Sequence, residues 1–563
     1  MNPRFNLCHD PWVMVLDEHH SRHEISLIEA FQQAHRWRAL AGELPSQQVA
    51  VLRLMLAIMY RALRHDDYPD EAQEEWGGWW QHGLPVDRVL AYLSEHESRF
   101  ELFDDTEPFM QVADLHTARG TTSGLSKLIA ELPDGFQYFT TRAGRGLDSI
   151  GPAEAARWLV HAHAFDPSGI KSGAVGDARV KAGKGYPIGI GWAGNLGLVV
   201  PEGCTLAETL LLNFVHEAPS PEEDEPPWER APATAAEDQM LASRCGPAAL
   251  LTWQSRRIRL FRNGDALVVD ALVCQGDRIG AQNRHKVEWG SAWRRSANQE
   301  KSAGGGAVYM PVAHLPERAV WRGLAGMLTG VQSTSGASQS PERLPPEVVV
   351  WLGHVRQQGY LPGDHPIRYR AVGVEYINNS SVIASVTDDA MALHTAVLTD
   401  EVLKDVVVDA VKASESAVLA LRNLAGDLAQ ARGGGTDGPR ARAGEQAWHM
   451  LDSPFRRWAS RLRADSDIQG ALTEWHETAR VHLSRLAYSL IGGAGDTAWK
   501  GREVRGPADK AVYVDSAVAE LRFHRSLRRA LDRAYPPAEA TPLVVHGDPA
   551  PETPIDEPTE EPT

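Results

Sequence analysis

The stretch beyond about residue 396 leaves this chain few ways to fold. Segments 399–431, 443–463, 467–491 and 507–535 are each helix-length, separated by the breaks "GGGTDGP", "ADSD" and "GGAGD". In the third, Ile468, Leu472, Trp475, Ala479, Leu483, Leu486 and Leu490 step by three or four and line up as one apolar stripe. Such a stripe has to be buried against other helices, and short connections make neighbours antiparallel. The segments therefore predict an antiparallel four-helix bundle over 396–535.

Residues 1–395 are patterned differently. "PWVMVLDEHHSRHEISL" (11–27) alternates, turns and alternates again, which predicts strand–turn–strand; His19, His20 and His23 then belong to a solvated turn. "QQVAVLRLMLAIMYRAL" (47–63) is apolar nearly all round and predicts a buried helix. "SLIEAF" and "GPAEAARWLVHAHAF" (151–165) are also helical, the second with Pro152 in the first turn. From about 247 to 395, short runs such as "DALVVDALV" alternate with loops. The expected fold class is α+β, a mixed α/β N-terminal domain followed by the bundle. The last 28 residues hold eight prolines and predict a disordered tail over 536–563.

The net charge of -17 is concentrated in two places. The tail has seven acidic residues and no Lys or Arg, and 217–238 has eight against Arg230 alone, which reads as a disordered or surface insertion. The remainder is near neutral, so acidity does not exclude a nucleic-acid partner. No basic start with an apolar run opens the chain, and no run reaches the ~20 residues of a membrane span. Four scattered cysteines form no CxxC pair, which argues against a zinc ribbon and fits a reducing cytoplasm.

"GIGWAG" (189–194) matches the dinucleotide pattern GxGxxG, but the following Asn195, Gly197, Val199, Val200 and Pro201 read as strand and turn, where a helix is required. "AGKGY" lacks the hydroxyl residue that follows the lysine of a phosphate loop. His161 and His163 lie two apart on a helix and face different directions. No catalytic constellation, metal site or cofactor is expected, although a nucleotide-dependent enzyme using the 166–200 glycine-rich segment is the competing class. Lys171, Arg179, Lys181 and Lys184 stand among the glycines of that segment, and 254–302 carries ten Lys/Arg against five acids. A phosphate-contacting face and a solvated surface both fit this composition.

"PWVMV", "LIEAF", "LRLMLAIMYRAL", "EPFMQV" (107–112) and "YFTTRAGRG" followed by "LDSIGPAEAARWLVHAHAF" occur in an order that resembles one family, CasA, the large subunit of the type I-E CRISPR surveillance complex Cascade. The resemblance covers roughly residues 1–535. It implies a non-enzymatic subunit whose partners are other Cascade subunits, the CRISPR guide RNA, double-stranded target DNA and a recruited helicase-nuclease, with no membrane. It also implies three contact elements. A loop facing the guide RNA contains Phe139, Thr140 and Thr141, where relatives carry Phe-Val-Asn, with Arg142 and Arg145 beside it. "PSGIKSG" (167–173), with Gly169, Lys171 and Gly173, corresponds to a glycine loop that reads the protospacer-adjacent motif (PAM) in the minor groove. Lys184 lies close by on phosphates, and Arg278, Arg284 and Lys286 are candidates for the family's PAM-reading lysine. "YINNSSVIASV" (376–386) resembles a hairpin that wedges into the duplex, with Ser380 and Ser381 where relatives have glutamine and with Asn378 and Asn379 supplying reach.

Overall fold

The computed structural model describes residues 4–64, 71–132, 142, 148–216, 223–328, 341–505 and 511–535. The described chain divides into two compact units. One comprises Met1–Glu415 and Gly444–Trp475, the other Ser416–Ala443 and the chain from His476 onward.

The first unit mixes helices and sheets. Its opening strands Val13–Leu16 and Arg22–Ile25 pair antiparallel, with Ala39–Leu40 on the other side of the first. In the intervening turn, Asp17 accepts hydrogen bonds from the Ser21 and His19 amides, and His20 takes a left-handed φ of 61°. Helix Leu27–Gln32 begins with a capping box, in which Ser26 accepts from the Glu29 amide and Glu29 reaches back to the Ser26 amide. Helix Pro45–Ala62 is the core element, with 14 of its 18 residues buried. Its one buried charge, Arg53, is met bidentately by Glu288 at 2.9 and 2.8 Å, and Trp192 donates to the same carboxylate. Arg53 is thus buried inside an apolar helix with its charge answered by a carboxylate.

Helix Pro152–Phe165 packs against that core. Strands Arg256–Arg262 and Val268–Gln275 form one hairpin. Strands Pro366–Ile377 and Val382–His394 form a second, longer one, whose first strand also pairs with Leu198–Glu202. Half of the expected acidic insertion is part of this core. Asp224 is fully buried and accepts from the Gly246, Ala248 and Ala249 amides at a helix start, while Trp228 stacks on Phe109 and meets Phe100 at a tilt. Composition missed this because a carboxylate that caps a helix and an indole that fills a core carry no period.

Four long helices occupy the described C-terminal region, Glu401–Ala431, Asp437–Ala459, Ile468–Gly492 and Ser516–Ala530, with the short helix Gly495–Lys500 before the last. The last is shorter than the expected 507–535, because "AVYV" alternates and forms strand Ala511–Val514 against Arg502–Arg505, and Asp515 then caps the helix by accepting from the Val518 amide. Along Ile468–Gly492, Leu472, Trp475, Ala479 and Leu483 are buried as the stripe predicts, and burial continues at Ala487, with Leu486 and Leu490 only partly covered. No described helix is long and apolar enough to cross a membrane.

Candidate nucleic-acid interface

The glycine loop 167–173 leaves the C-terminal end of helix Pro152–Phe165, and Asp166 fixes its departure. This carboxylate is buried between Lys171 Nζ and Arg256 Nε, each 2.5 Å away. Burial alone would push the Asp166 carboxyl up; Lys171 and then Arg256 outweigh it and hold it below the ordinary carboxylate range. Arg256, fully buried, also donates to the carbonyls of Pro167 and Gly189 at 3.0 and 2.9 Å. Gln275 Nε2 donates to the Gly169 and Gly185 carbonyls. A loop of small residues is thereby held from several sides.

The hairpin tip lies directly against it. Asn378, Asn379 and Ser380 have φ of 52°, 56° and 62°, three successive left-handed residues of which none is glycine. The turn closes through the Ser381 amide to Ile377 O and Ser381 Oγ to Asn378 O at 2.7 Å. The Ser168 amide donates to Ser380 O at 2.8 Å, and a Cβ on Gly169, at φ 143°, would meet the Ser381 side chain at 4.0 Å. One strand residue earlier, Tyr376 donates to Phe165 O, the last residue of the helix that launches the loop. Two elements more than 200 residues apart in sequence thus form one surface. Beside it is a cavity of about 320 Å³ lined by residues 165–171, 126–130 and Ser381, Val382 and Ile383.

The predicted site residues separate into several groups. Gly169, Asn378, Asn379, Ser380 and Ser381 come together, and all but the partly covered Gly169 and Ser380 are exposed. Lys184 is exposed on a turn with Lys181, their backbones bonded to each other, and pairs in register with Ser172. Lys171 is not a surface lysine: its side chain is 6% exposed and committed to Asp166. Gly173 is buried as well; a Cβ there would meet Val180 and the Gly183 backbone within 2.7 Å, so its glycine serves an internal close approach. Arg142 is likewise drawn inward, paired with Glu131 and Glu154 and lying over Trp158. Phe139, Thr140, Thr141 and Arg145 lie outside the described residues. Of the three PAM-reading candidates, Arg278 is 59% exposed with only a 3.7 Å approach to Glu237, and Lys286 is exposed. Arg284 is tied to the Ala242 and Gly280 carbonyls. Arg278 follows Gln275 by three residues and is therefore nearest in the chain to the side chain that grips the glycine loop.

Asp166, Arg256, Gln275 and Tyr376 were missed by sequence reasoning. Only "FDPSG" hinted at one of them, as an acid opening a turn. The glycines of "GIGWAG" also have structural roles. A Cβ on Gly191 would fall 2.4 Å from Ala164 O, and one on Gly194 would strike the Tyr376 hydroxyl at the same distance. The motif "PFMQ" is structural too, since Gln111 bridges Leu102 O and the Leu260 amide.

The helix that launches the loop makes the fold pH-sensitive. His161 bonds Ser46 and His163 bonds Met110 O, and burial pushes both imidazoles down from 6.5 to about 4. The unfolded chain takes up these protons near 6.5 and the native one only near 4, so stability falls as pH drops through that window. The loss is about 2 kcal/mol per histidine between pH 6.5 and 5. Urea midpoints measured across that range should decline, and His161→Gln should flatten the slope by about one proton.

Comparison with known proteins agrees with this architecture. The family model described as CRISPR-associated protein Cse1 matches residues 6–486. A CRISPR-associated protein CasA/Cse1 of Thermus thermophilus is 26% identical over 536 residues, spanning 88% of this chain and 98% of that protein. The crystal structure of Thermobifida fusca Cse1 superimposes with a TM-score of 0.85 at 40% identity, covering 94% of this chain and 99% of that one. A chain of a solved CRISPR RNA-guided surveillance complex shares the fold at 18% identity and a TM-score of 0.64, over 87% and 100% of the two chains. From these matches and the shared fold, the chain belongs to the CRISPR-associated Cse1 (CasA) family.

Proposed function

We propose that this chain is the DNA-inspecting large subunit of a type I-E surveillance complex. It binds duplex DNA, reads the PAM with the Gly169 loop, and starts strand separation with the tip Asn378–Ser381. Sequence checking then passes to the guide RNA, and because the RNA–DNA hybrid is about as stable as the duplex it replaces, the protein only has to nucleate opening. The four C-terminal helices form an antiparallel bundle that meets neighbouring subunits and the displaced strand, and the chain offers a docking face to the helicase-nuclease. The observation that carries the reading is the Ser168–Ser380 hydrogen bond, which couples a groove-reading loop to a duplex-opening tip. Minor-groove readout separates mainly A·T from G·C, so tolerance of several PAMs is expected. Gel shifts of the reconstituted complex against a PAM library test this directly; equal binding to every sequence would contradict it.

In this reading the exposed Lys181 and Lys184 touch phosphates. Lys181→Glu with Lys184→Glu should weaken PAM and non-PAM duplexes alike and reduce the log–log salt slope by about one per lost contact. An unchanged slope would assign both lysines to solvent alone.

A further inference from the structure

A second cavity, of about 410 Å³, lies in the first unit, lined by the segments 99–111 and 225–238 together with the Arg257–Asp277 pair and Arg244. It shares no lining residue with the cavity beside the glycine loop. Four arginines and five carboxylates, Glu107, Glu225, Glu237, Asp238 and Asp277, line it, and three of the arginines are paired with carboxylates of this set. Arg257 is held bidentately by Asp277 at 3.0 and 2.7 Å, and Arg244 meets Asp238 at 3.1 Å. Arg99 donates to the Arg230 and Pro227 carbonyls and lies 3.4 Å from Glu107.

Arg230 is the exception. No carboxylate among the described residues lies within ion-pair distance of it, and its Nε, like that of Arg99, is buried without a hydrogen-bond partner. Burial pushes its pKa below the ordinary arginine range; Arg257 adds to this and Asp277 and Asp238 offset part of it. A guanidinium does not lose its proton in proteins, so burying one without a counter-charge is costly. It is also a planar fork of donors that matches a phosphate or carboxylate in two parallel hydrogen bonds. An unanswered fork on the wall of a cavity this large is a site built for an anion.

We propose that this cavity binds a phosphate-type oxyanion, either free or carried on a nucleotide, with Arg230 as the principal ligand. Seated there, the anion answers the one arginine of this cavity wall that meets no carboxylate among the described residues, and it reinforces the hold that Arg257 already has on the Thr234 and Ala236 carbonyls. The inference does not depend on the PAM-reading role, since the cavity and the hairpin tip are built from different residues.

The full chain is titrated with inorganic phosphate at constant ionic strength, with chloride as the reference salt, and followed by thermal unfolding. Phosphate should raise Tm in a saturable manner, by on the order of 2 °C or more. Arg230→Met should abolish that rise while leaving Tm in chloride unchanged or higher, because an uncompensated charge is gone. Arg230→Lys keeps the charge without the fork and should weaken phosphate at least tenfold by calorimetry, which keeps the test open should the methionine variant fold poorly. Parallel titrations with a nucleoside monophosphate and a short single-stranded oligonucleotide identify the carrier: tighter binding of either one than of phosphate assigns the anion to it. No saturable response in the wild type, or an identical response in both variants, would overturn the proposal.

Discussion

Asp166→Asn is expected to destabilise the first unit by about 3–5 kcal/mol, the cost of leaving a buried ion-pair network without its anion. The substitution keeps shape and volume, so the loss is electrostatic. Lys171 and Arg256 would face each other in a buried site with only a neutral amide between them, where the Asp166 carboxylate now sits 2.5 Å from each. The urea midpoint should fall with an unchanged m-value, as for a stability change without a change in compactness. Adding Lys171→Met should recover part of the loss by removing one of the two stranded cations, a coupling that a double-mutant cycle measures. Additive losses would show that Asp166 and Lys171 are not energetically coupled, which would leave Arg256 as the partner whose charge Asp166 answers. The same variant should loosen the loop, since Arg256 uses Asp166 as its anchor while holding the Pro167 and Gly189 carbonyls.

Much of this arrangement could be read from residues one at a time. An all-round apolar run located the buried helix Pro45–Ala62, Pro152 the start of the helix Pro152–Phe165, and a step of three or four the helix Ile468–Gly492, because each signal is local. The glycine loop and the hairpin were also legible separately, through their resemblance to a family. Their contact was not, since nothing in "PSGIKSG" or "NNSS" encodes a hydrogen bond between residues 168 and 380. Lys171 illustrates the opposite failure. Composition counts a lysine among glycines as surface charge, and only the position of Asp166, five residues earlier and turned inward, reveals it as buried. Gly173 and Gly191 were ambiguous for a similar reason. A glycine required by a neighbouring backbone looks the same in sequence as one required by a ligand.

The hairpin tip gives the sharpest functional expectation. Asn378, Asn379 and Ser380 all occupy left-handed φ, which glycine adopts without strain. Replacing the three with glycine therefore preserves the turn and removes only the side chains, whereas alanine would strain it. The strand register below the tip, Ile377 against Val382, and the Ser168 contact to the Ser380 carbonyl use backbone and should survive. If the side chains enter the duplex, they offset part of the few kcal/mol needed to unstack a base step. Losing about 1.4 kcal/mol of that assistance slows opening roughly tenfold. PAM binding, assigned to the glycine loop in the proposed function, should change little.

The decisive measurement is the rate of guide–target hybrid formation by the reconstituted complex, wild type and triple-glycine variant, on two targets. One target is fully paired; the other has mismatched, already open base pairs beside the PAM. The variant should be slowed about tenfold on the paired target and should match the wild type on the pre-opened one, where the work of the tip is already done. Equal slowing on both targets would show that the hairpin only supports the loop, and that strand separation begins elsewhere.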